Sequence, residues 1–524
     1  MMNASGLATA LLTFLVPGVL LQCQPRDYGK GSVVCVCDTT QCDFIGVVRP
    51  EQSGVIAVHE SSKAGKRFDK TTLSFNKPAN LDGNDDAVSV VIDSSKKYQS
   101  IFGFGGAFTD AAGINLQSLP EQLQEAVLKS YYSDEGLSYN MGRVPMASCD
   151  FSARQYTYND VPGDLNMANF ALAAEDFSVK IPYIKRALNM SKEDVWMFGS
   201  PWSGPAWMKT SGKLHGAGQL KGRPGGPYYE AWAKYITRFL QEYEKNGIRI
   251  WGLTVENEPS VGYVPNFRWQ SMGFTPSTEL DFIKMDLGPA LLEAGYGPGN
   301  LTLMIMDDQR SFLPNWANVV LGDPEAAKFV QGVAVHWYAN DYMGPWVLDK
   351  THNNFPDKFI LATEACEGWR SSDVEKVILG SWNRAENYAH DILEDLLHWA
   401  TGWVDWNLAL DLNGGPNWAN NFVDSPIIVN ATGREFYKQP MYYALAHFSK
   451  VLPRGSVRVD SRIVGETNDK LEFGAFKTPE NATVLIVLNT DSQAHNISVQ
   501  DVSRKLGTFT SYISERSMRS FIWW

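Results

Sequence analysis

The chain has 524 residues, of which 44% are hydrophobic and 20% are charged, so it has enough material for a large core and a smaller companion domain. This composition argues against a largely disordered protein. Its 46 Lys and Arg against 58 Asp and Glu give a net charge of -12 at pH 7, which argues against nucleic acid as a ligand.

The first 22 residues predict a secretory signal peptide. They contain no Asp, Glu, Lys or Arg, and their apolar stretch, residues 7–21, is too short to span a bilayer comfortably. No later segment resembles a transmembrane helix, so we expect the mature protein to be soluble in the secretory route.

The cysteines also favour that route. Four of the six lie close together near the start of the chain, at Cys23, Cys35, Cys37 and Cys42, which predicts two disulfides. Zinc is the alternative, but the cluster has no paired C-x₂-C spacing and directly follows the signal sequence. Five N-x-S/T triplets predict glycosylated surface loops, at Asn189, Asn300, Asn430, Asn481 and Asn496.

The middle of the chain alternates short apolar runs with longer segments of helical periodicity. Segments 228–246 and 385–401 have apolar residues at three- and four-residue spacing, which predicts outer helices with one buried face. Eight candidate strands predict a (β/α)8 TIM barrel. They lie at residues 101–108, 138–146, 195–200, 250–256, 301–306, 332–338, 358–363 and 403–408.

Both ends of the chain consist of short β-branched or alternating runs, which favour strands. These runs lie at residues 54–59, 87–92, 456–464, 470–476, 482–488 and 497–502. Neither end offers enough strands alone, so we predict one β-sandwich built from both termini. The expected division is a small disulfide-containing β region (23–50 with about 408–439), the sandwich (51–98 with 456–524) and the catalytic barrel (99–407 with 440–455).

Two glutamates each follow an apolar strand, Glu258 in WGLTVENEPS and Glu364 in KFILATEAC. Catalytic side chains of a barrel enzyme lie at the C-terminal ends of its strands, where the βα loops form an open rim. Three βα units of about 30 to 35 residues would put the two glutamates on the fourth and seventh strands. A facing carboxyl pair suits glycosidic bond cleavage, in which one group protonates the leaving oxygen and the other attacks the anomeric carbon. Glu367 adds a third carboxylate, which we expect to face solvent.

Six segments together resemble the glucosylceramidase branch of glycoside hydrolase family 30: ENEPS, ATEAC, RVPMASCDFS, FGFGGAFTDAA, VHWY and DWNLAL. The similarity covers nearly all of the mature chain. It implies a retaining β-glucosidase in which Glu258 is the acid/base and Glu364 the nucleophile. It also implies disulfides between Cys23 and Cys35 and between Cys37 and Cys42.

The resemblance further implies which residues surround the substrate. Glucose contacts are implied for Asp150, Trp202, Asn257, Trp406 and Asn421. Supporting or nucleophile-orienting roles are implied for Arg143, His336 and Tyr338. Neither a metal nor an organic cofactor is implied.

The implied reaction is hydrolysis of glucosylceramide to glucose and ceramide, with action on glucosylsphingosine and transglucosylation also expected. The implied setting is the lysosomal lumen in peripheral contact with a membrane, with saposin C and anionic phospholipid as activators and a lysosomal trafficking receptor as a partner. Loops 264–269 and 339–347 border the expected mouth, and their aromatic residues Phe267, Trp269, Tyr342 and Trp346 are candidates for membrane contact.

Two alternatives remain. The same fold and mechanism could act on another β-linked glycan such as xylan, or the barrel could be a catalytically idle carbohydrate-binding protein. Retention of both glutamates together with Asn257 and Asp150 disfavours the idle protein.

Overall fold

The computed structural model describes residues 22–76, 87–465, 468–504 and 506–524. The predicted signal peptide therefore lies almost wholly outside the described residues. Among the helices of the described ranges, none combines the length and the apolarity needed to cross a membrane.

The described chain contains 22 strands and 11 α-helices. The strands are β1 Pro25–Asp27, β2 Val33–Asp38, β3 Val55–Ser62, β4 Asp69–Ser74, β5 Ala87–Ser100, β6 Gly103–Ala107, β7 Met141–Met146, β8 Trp196–Pro201, β9 Ile250–Thr254, β10 Thr302–Gln309, β11 Gly332–His336, β12 Phe359–Glu364, β13 Ala400–Asn407, β14 Leu410–Asp411, β15 Ile427–Asn430, β16 Glu435–Lys438, β17 Val457–Val464, β18 Leu471–Lys477, β19 Thr483–Asn489, β20 His495–Asp501, β21 Thr508–Ile513 and β22 Ser517–Trp523. The helices are α1 Asp110–Gln117, α2 Glu121–Tyr132, α3 Ile181–Met190, α4 Pro227–Lys245, α5 Pro276–Phe282, α6 Gly288–Glu293, α7 Asn315–Leu321, α8 Pro324–Ala327, α9 Trp346–Asn354, α10 Trp382–Leu397 and α11 Pro440–Ser449.

Strands β6 to β13 close into a parallel barrel in which each strand pairs with its sequence neighbour and β13 pairs with β6. The eight predicted strands are confirmed to within a few residues at each end. Their side chains are buried almost throughout, because the helices cover the outside of the barrel and side chains fill its interior.

The predicted helix over residues 228–246 is confirmed as α4, whose buried side chains follow the expected three- and four-residue spacing. The helix predicted over residues 385–401 is wrong at its end. Helix α10 stops at Leu397, and Ala400 and Thr401 begin the barrel strand β13. Both residues are buried in the barrel wall, where Thr401 Oγ1 donates to the Ile360 carbonyl at 2.9 Å, so the spacing of apolar residues alone did not mark the boundary.

A nine-stranded sheet forms the sandwich, in the order β21-β20-β5-β17-β18-β19-β22-β3-β4. Strands β3, β4 and β5 come from the N-terminal part of the chain and the other six from its C-terminal part, which confirms a sandwich built from both ends of the chain. The sheet curls around one apolar core, and its two edges meet where Asn76 bridges to Thr508. Next to this bridge, the rings of Phe75 and Phe509 pack with centroids 5.6 Å apart.

The small β region is a five-stranded sheet in the order β1-β2-β16-β15-β14. Disulfides link Cys23 to Cys35 and Cys37 to Cys42, in the pairing implied by the family resemblance. The first fastens the start of the described chain to β2, and the second joins β2 to the loop that follows it. The two remaining cysteines, Cys149 and Cys366, are free and buried.

The five candidate glycosylation sites differ in exposure. The side chains of Asn189, Asn300, Asn481 and Asn496 are exposed. Asn430 is partly buried, and its Nδ2 donates a hydrogen bond to the Tyr437 hydroxyl at 2.9 Å. Glycosylation at Asn430 would require breaking this contact, so we expect the other four sites to be better acceptors.

Candidate active site

The C-terminal ends of the barrel strands bring the predicted polar residues together at one rim. Arg143 lies in β7, His336 ends β11 and Glu364 ends β12. Glu258 follows β9 by four residues and precedes a short 3₁₀ turn, Pro259–Tyr263. This is the edge at which a TIM barrel carries its reactive groups.

The two glutamates predicted from the sequence face each other. A carboxylate oxygen of Glu258, one of Glu364 and a ring nitrogen of His336 all lie within 4.8 Å of one another. Glu258 has a left-handed backbone, with φ 45° and ψ 57°, which is uncommon for a residue with a side chain. Its amide donates to the Asp307 carbonyl at 2.9 Å, so the neighbouring strand holds this unusual conformation in place.

Both carboxylate oxygens of Glu364 accept hydrogen bonds. The Arg143 guanidinium donates from Nη1 to Oε2, and the Tyr338 hydroxyl donates to Oε1 at 2.8 Å. Arg143 has no exposed surface, and the Glu364 side chain is 8% exposed. A buried cation and a hydroxyl donor together fix the orientation of the Glu364 carboxylate.

The surroundings of Glu258 differ between its two oxygens. Oε1 lies 3.2 Å from His336 Nδ1 and accepts a hydrogen bond from Gln309 Nε2 at 2.9 Å. Oε2 has no hydrogen-bond partner among the described residues. Oε2 is therefore the oxygen of Glu258 that is free to exchange a proton with a ligand.

Asp307, which the sequence analysis did not single out, lies at the centre of the hydrogen-bond network that surrounds the two glutamates. Its side chain is fully buried. Its carboxylate accepts hydrogen bonds from Arg143 Nη2 at 2.8 Å, His336 Nε2 at 3.0 Å, Thr254 Oγ1 at 2.7 Å and Thr363 Oγ1 at 2.6 Å. Burial alone would raise the pKa of Asp307, but the charges of Arg143 and His336 outweigh it and hold that pKa well below its usual range. The buried carboxylate is therefore ionised.

A local distortion of β10 aims Asp307 into the barrel. The pairing of β10 with β11 shifts register between Met306 and Asp308, and Met306 and Asp307 have φ values of 74° and 51°. Such an irregularity re-aims a side chain beside a functional site. The signal available in the sequence was an acidic pair, Asp307 and Asp308, after an apolar strand, but the predicted strand ended at Met306.

The same charges act on His336. Burial lowers its pKa, whereas the charges of Glu364 and Asp307 raise it, and the net result is a pKa of about 10. The imidazole therefore carries a proton on each nitrogen and faces a carboxylate on each side. A doubly protonated ring has no lone pair for a metal ion, and Arg143 already neutralises Glu364, so these residues do not fit a metal site.

A pocket of about 170 Å³ opens above the two glutamates. The eight further residues to which the family resemblance gives binding or supporting roles surround or underlie it. Five of these line it: Asp150, Trp202, Asn257, Trp406 and Asn421. Tyr338 also lines it, whereas Arg143 and His336 lie beneath it and touch the glutamates rather than the cavity.

The polar wall residues each keep one group free for a ligand. Asn257 Oδ1 accepts from Arg143 at 2.7 Å, which leaves its amide hydrogens for the pocket. Asn417 and Asn421 donate to Asp150 Oδ2 at 3.2 and 2.9 Å, and Oδ1 of Asp150 has no partner among the described residues. Burial raises the pKa of Asp150 to about 7.

Sequence reasoning missed other parts of the wall and misplaced Trp269. Phe151, Gln309, Cys366, Trp369 and Val423 also line the pocket. Trp269, expected at a membrane-facing tip, is half-buried in the pocket wall.

The expectation that Glu367 faces solvent is wrong. The side chain of Glu367 is 3% exposed, accepts a hydrogen bond from Asn387 Nδ2 at 2.7 Å and lies 3.9 Å from the Arg384 guanidinium. It points away from the catalytic pocket into the shell of α10. Burial raises the pKa of Glu367 there despite the nearby Arg384, and Glu367 adds no third carboxylate to the site.

Known protein families and known proteins match this chain over both the barrel and the sandwich. Residues 101–452 match the glycosyl hydrolase family 30 TIM-barrel domain, and residues 455–521 match the glycosyl hydrolase family 30 beta sandwich domain. The chain is 44% identical over 506 residues to lysosomal acid glucosylceramidase of Mus musculus, covering 96% of this chain and 95% of that protein. It is also 44% identical over 479 residues to putative glucosylceramidase 4 of Caenorhabditis elegans, covering 91% and 90%.

Among solved structures, SrfJ from Salmonella typhimurium superposes with a TM-score of 0.80 at 27% identity, covering 90% of this chain and 99% of that one. The family match spans both the barrel and the sandwich, and the relatives extend over nearly the whole chain. This protein therefore belongs to glycoside hydrolase family 30 and is a glycoside hydrolase.

Proposed function

We propose that this protein is a retaining β-glucosidase that hydrolyses glucosylceramide to glucose and ceramide. The observation that carries the mechanism is the closeness of Glu258 and Glu364, whose nearest carboxylate oxygens lie within 4.8 Å. Retaining glycosidases place these groups about 5 to 5.5 Å apart, whereas inverting ones leave about 6.5 to 9.5 Å for a water molecule. The short separation supports direct attack by one carboxylate.

In the first step, Glu364 attacks the anomeric carbon while the bond from that carbon to the ceramide oxygen breaks. The proton on Glu258 Oε2 passes to the departing oxygen, which leaves as the ceramide hydroxyl. Arg143 and Tyr338 hold the Glu364 carboxylate in its orientation until the bond forms. The product of this step is a glucosyl ester on Glu364 and an ionised Glu258.

In the second step, Glu258 takes a proton from water as the water oxygen attacks the anomeric carbon. The ester bond to Glu364 breaks, glucose leaves with its β configuration, and both glutamates return to their starting forms. An alcohol in place of water would give transglucosylation. His336 and Gln309 hold Oε1 of Glu258 throughout, so Oε2 can exchange its proton without rotation of the side chain.

The pocket supports recognition of a single terminal sugar. At about 170 Å³, closed below by Arg143 and Asp307, it suits one ring rather than a stretch of polysaccharide. We propose that Asp150 and Asn421 bind hydroxyls on the far side of the ring and that Asn257 donates to the 2-hydroxyl. Trp202 and Trp406 offer apolar faces to the C–H groups of the sugar.

The lipid substrate is proposed from the glucosylceramidase relatives, which match over nearly the full chain. Glucosylsphingosine carries the same sugar and linkage, and we propose it as a second substrate. Two aromatic side chains beside the mouth support work at a membrane surface, since Tyr342 is 84% and Trp346 is 54% exposed. Aromatic rings of this kind favour the interface between lipid and water.

We propose the lysosomal lumen as the site of action, reached through the secretory pathway and a lysosomal trafficking receptor. Saposin C and anionic phospholipid are the proposed activators. Buried carboxyl groups with raised pKa support an acidic compartment, because they are neutral at low pH.

The alternative within the family is action on another β-linked glycan such as xylan. The single-sugar pocket disfavours it, because an internal cleavage requires room for sugars on both sides of the bond. The idle-barrel alternative is disfavoured by the buried ion pair that holds Glu364 ready for attack.

Substrate choice is tested by comparing turnover of glucosylceramide in mixed vesicles with turnover of xylan at equal enzyme concentration. We expect release of glucose and ceramide, and no reducing sugar from xylan. Comparable xylan hydrolysis without action on the lipid would contradict the proposal. The Glu364→Gln variant is the control, since any turnover it retains comes from a contaminant.

A further inference from the structure

A second cavity lies in the sandwich. The residues that line it are distant in sequence from Glu258 and Glu364. It has a volume of about 540 Å³ and is bordered by the end of β18, the start of β17, the middle of β5 and the loop after β20. Three cationic side chains line it, Lys97, Lys477 and Arg504, and none of its lining residues is acidic. Three hydroxyl side chains complete the polar wall: Ser94, Thr478 and Ser503.

The positive charge of this cavity is poorly compensated. Among the described residues, neither Lys97 nor Lys477 has a carboxylate within ion-pair distance, although the chain as a whole has a net charge of -12. Arg504 has one distant acidic neighbour, Asp501, at 3.9 Å, and its Nη2 donates to the Asn481 carbonyl. Because Asp501 also accepts hydrogen bonds from Thr483 at 3.2 Å and Trp523 at 3.3 Å, it is shared among several donors.

The cations affect one another. Burial lowers the pKa of Lys477 to about 8, and the charges of Arg504 and Lys97 act in the same direction against the pull of Asp501. The Lys477 ammonium is only half-buried, and its nearest hydrogen-bond acceptor, Thr483 Oγ1, lies at 3.5 Å. Lys477 therefore lacks a good hydrogen-bond partner. Ser503 Oγ accepts from the Ser94 amide at 2.7 Å, which fixes the loop carrying Arg504 against β5.

We propose that the cavity bounded by Lys97, Lys477 and Arg504 binds a tetrahedral oxyanion, either a phosphate or a sulfate group. Guanidinium and ammonium donors converging on one cavity supply charge-assisted hydrogen bonds to such a group, and the hydroxyls of Ser94 and Thr478 can donate to its remaining oxygens. The group could belong to a soluble ester or to the headgroup of a lipid, and the two sources are separable by experiment.

Sulfate is the probe for the site itself, because it does not titrate between pH 5 and pH 8. Isothermal titration of the full chain at low ionic strength should show one sulfate bound. We expect Lys477→Met and Lys97→Met each to weaken sulfate binding about tenfold or more, since each removes a charge-assisted contact. Lys477→Arg should retain most of the affinity because it keeps the charge.

The matched control is Lys234→Met, which removes an exposed lysine on the outer face of α4. It changes the net charge of the protein by the same amount but leaves the cavity intact. Equal sulfate affinity in Lys477→Met and Lys234→Met would overturn the proposal, as would the absence of sulfate binding to the unaltered protein. Thermal unfolding without sulfate checks that each variant is folded, and Lys477→Gln or Lys97→Gln replaces the corresponding Met variant if it is not.

Protonation gives a second readout. At pH 8 about half of the Lys477 side chains are neutral, and a bound dianion should draw a proton onto them. The sulfate binding enthalpy at pH 8 should therefore depend on the ionisation enthalpy of the buffer, and this dependence should disappear in Lys477→Met. A dependence that persists unchanged in Lys477→Met would contradict the assignment of the site.

Vesicles distinguish the two sources of the anion. Flotation with phosphatidylcholine vesicles containing phosphatidic acid should lose binding in the Lys97→Met and Lys477→Met variants if the group is a lipid headgroup. If these variants lose sulfate binding but float as well as the unaltered protein, the site serves a soluble ester. Either result supports the oxyanion site and identifies its source.

Discussion

Arg143 Nη2 lies 2.8 Å from Asp307 Oδ2, and neither side chain has any exposed surface. Through this contact Asp307 connects the two glutamates, because Arg143 also binds Glu364 and His336 joins Asp307 to Glu258. A fully buried ion pair is costly to break from one side, since the remaining charge is left uncompensated. The positions of Glu258 and Glu364 thus both depend on the Asp307 carboxylate. That carboxylate contacts neither glutamate directly and acts through Arg143 and His336.

Asp307→Asn tests this dependence. Arg143 and His336 would lose their shared countercharge, so we expect the free energy of unfolding to fall by about 3 kcal/mol and kcat to fall on the order of a hundredfold. Urea unfolding and steady-state kinetics with an aryl β-glucoside measure the two effects.

The control for that variant is Asp405→Asn. Burial raises the pKa of Asp405 to about 8, so its carboxyl group is already neutral in acid, and the amide resembles it in shape and charge. The Tyr388 hydroxyl lies 2.8 Å from Oδ1. We expect a change of less than about 1 kcal/mol at pH 5. If Asp405→Asn lost as much free energy of unfolding and as much kcat as Asp307→Asn, the effect would be common to buried aspartates and not specific to Asp307.

Tyr338→Phe removes the hydroxyl that donates to Glu364 Oε1 at 2.8 Å. We expect kcat/KM to fall by roughly tenfold to a hundredfold, because the attacking carboxylate loses one of two donors that hold it in place. Tyr388→Phe is a matched control, since that hydroxyl binds Asp405 rather than a glutamate of the site. Equal kinetic losses in the two variants would argue against orientation of Glu364 by Tyr338.

The protein should be more stable in acid than at neutral pH. Burial raises the pKa of Asp150, Glu279 and Asp308 to about 7 and that of Asp405 to about 8, from ordinary values near 4. Groups with raised folded-state pKa contribute stability that is fully present below the unfolded-state pKa and is lost as pH rises through the folded-state pKa. Each group thus lowers the free energy of unfolding as the pH rises from roughly 5 to roughly 7.

Two buried histidines act in the opposite direction. Burial lowers the pKa of His59 to about 4 and that of His447 well below its usual value, so their contribution is lost as pH falls below about 6.5. Four carboxyl groups outweigh two histidines, and the melting temperature should fall from pH 5.5 to pH 7.5. Asp405→Asn should reduce the slope. A melting temperature that rises over this interval would contradict the assignment.

The aromatic tips at the mouth are tested with lipid and soluble substrates side by side. Tyr342→Ser with Trp346→Ser should weaken vesicle binding and glucosylceramide hydrolysis by roughly tenfold or more, because each aromatic ring loses its burial in the interface. Hydrolysis of a soluble aryl β-glucoside should not change. Tyr512→Ser, at a position 57% exposed on the sandwich, is the control. Unchanged lipid hydrolysis in the double variant would contradict the proposed membrane contact of Tyr342 and Trp346.

The barrel and its carboxylate pair could be predicted from the sequence because both follow from local patterns. Apolar runs long enough for buried strands end in Glu364 or run on to Glu258, and parallel strands bring their ends to one rim. The exposed strand β4 and the late strands β21 and β22 had weaker patterns, since they gain order from pairing with distant parts of the chain.

Asp307 and Glu367 show where sequence reasoning failed at the site. The position of Asp307 depends on a bulge set by the pairing of β10 with β11, and nothing in the local pattern MIMDDQ marks that bulge. The burial of Glu367 depends on Arg384 and Asn387, which follow it on another element. Neither contact has a signature in the residues next to the carboxylate.

The central claim, that Glu364 forms a covalent bond to the sugar while Glu258 moves the proton, is tested most directly by labelling. The protein is inactivated with a 2-deoxy-2-fluoro-β-glucoside bearing a good leaving group, digested and analysed by mass spectrometry. The account predicts one glucosyl label, on the peptide containing Glu364, and slower but detectable labelling of the same residue in Glu258→Gln. Labelling of Glu258, Glu367 or any other residue, or inactivation without a label, would contradict it.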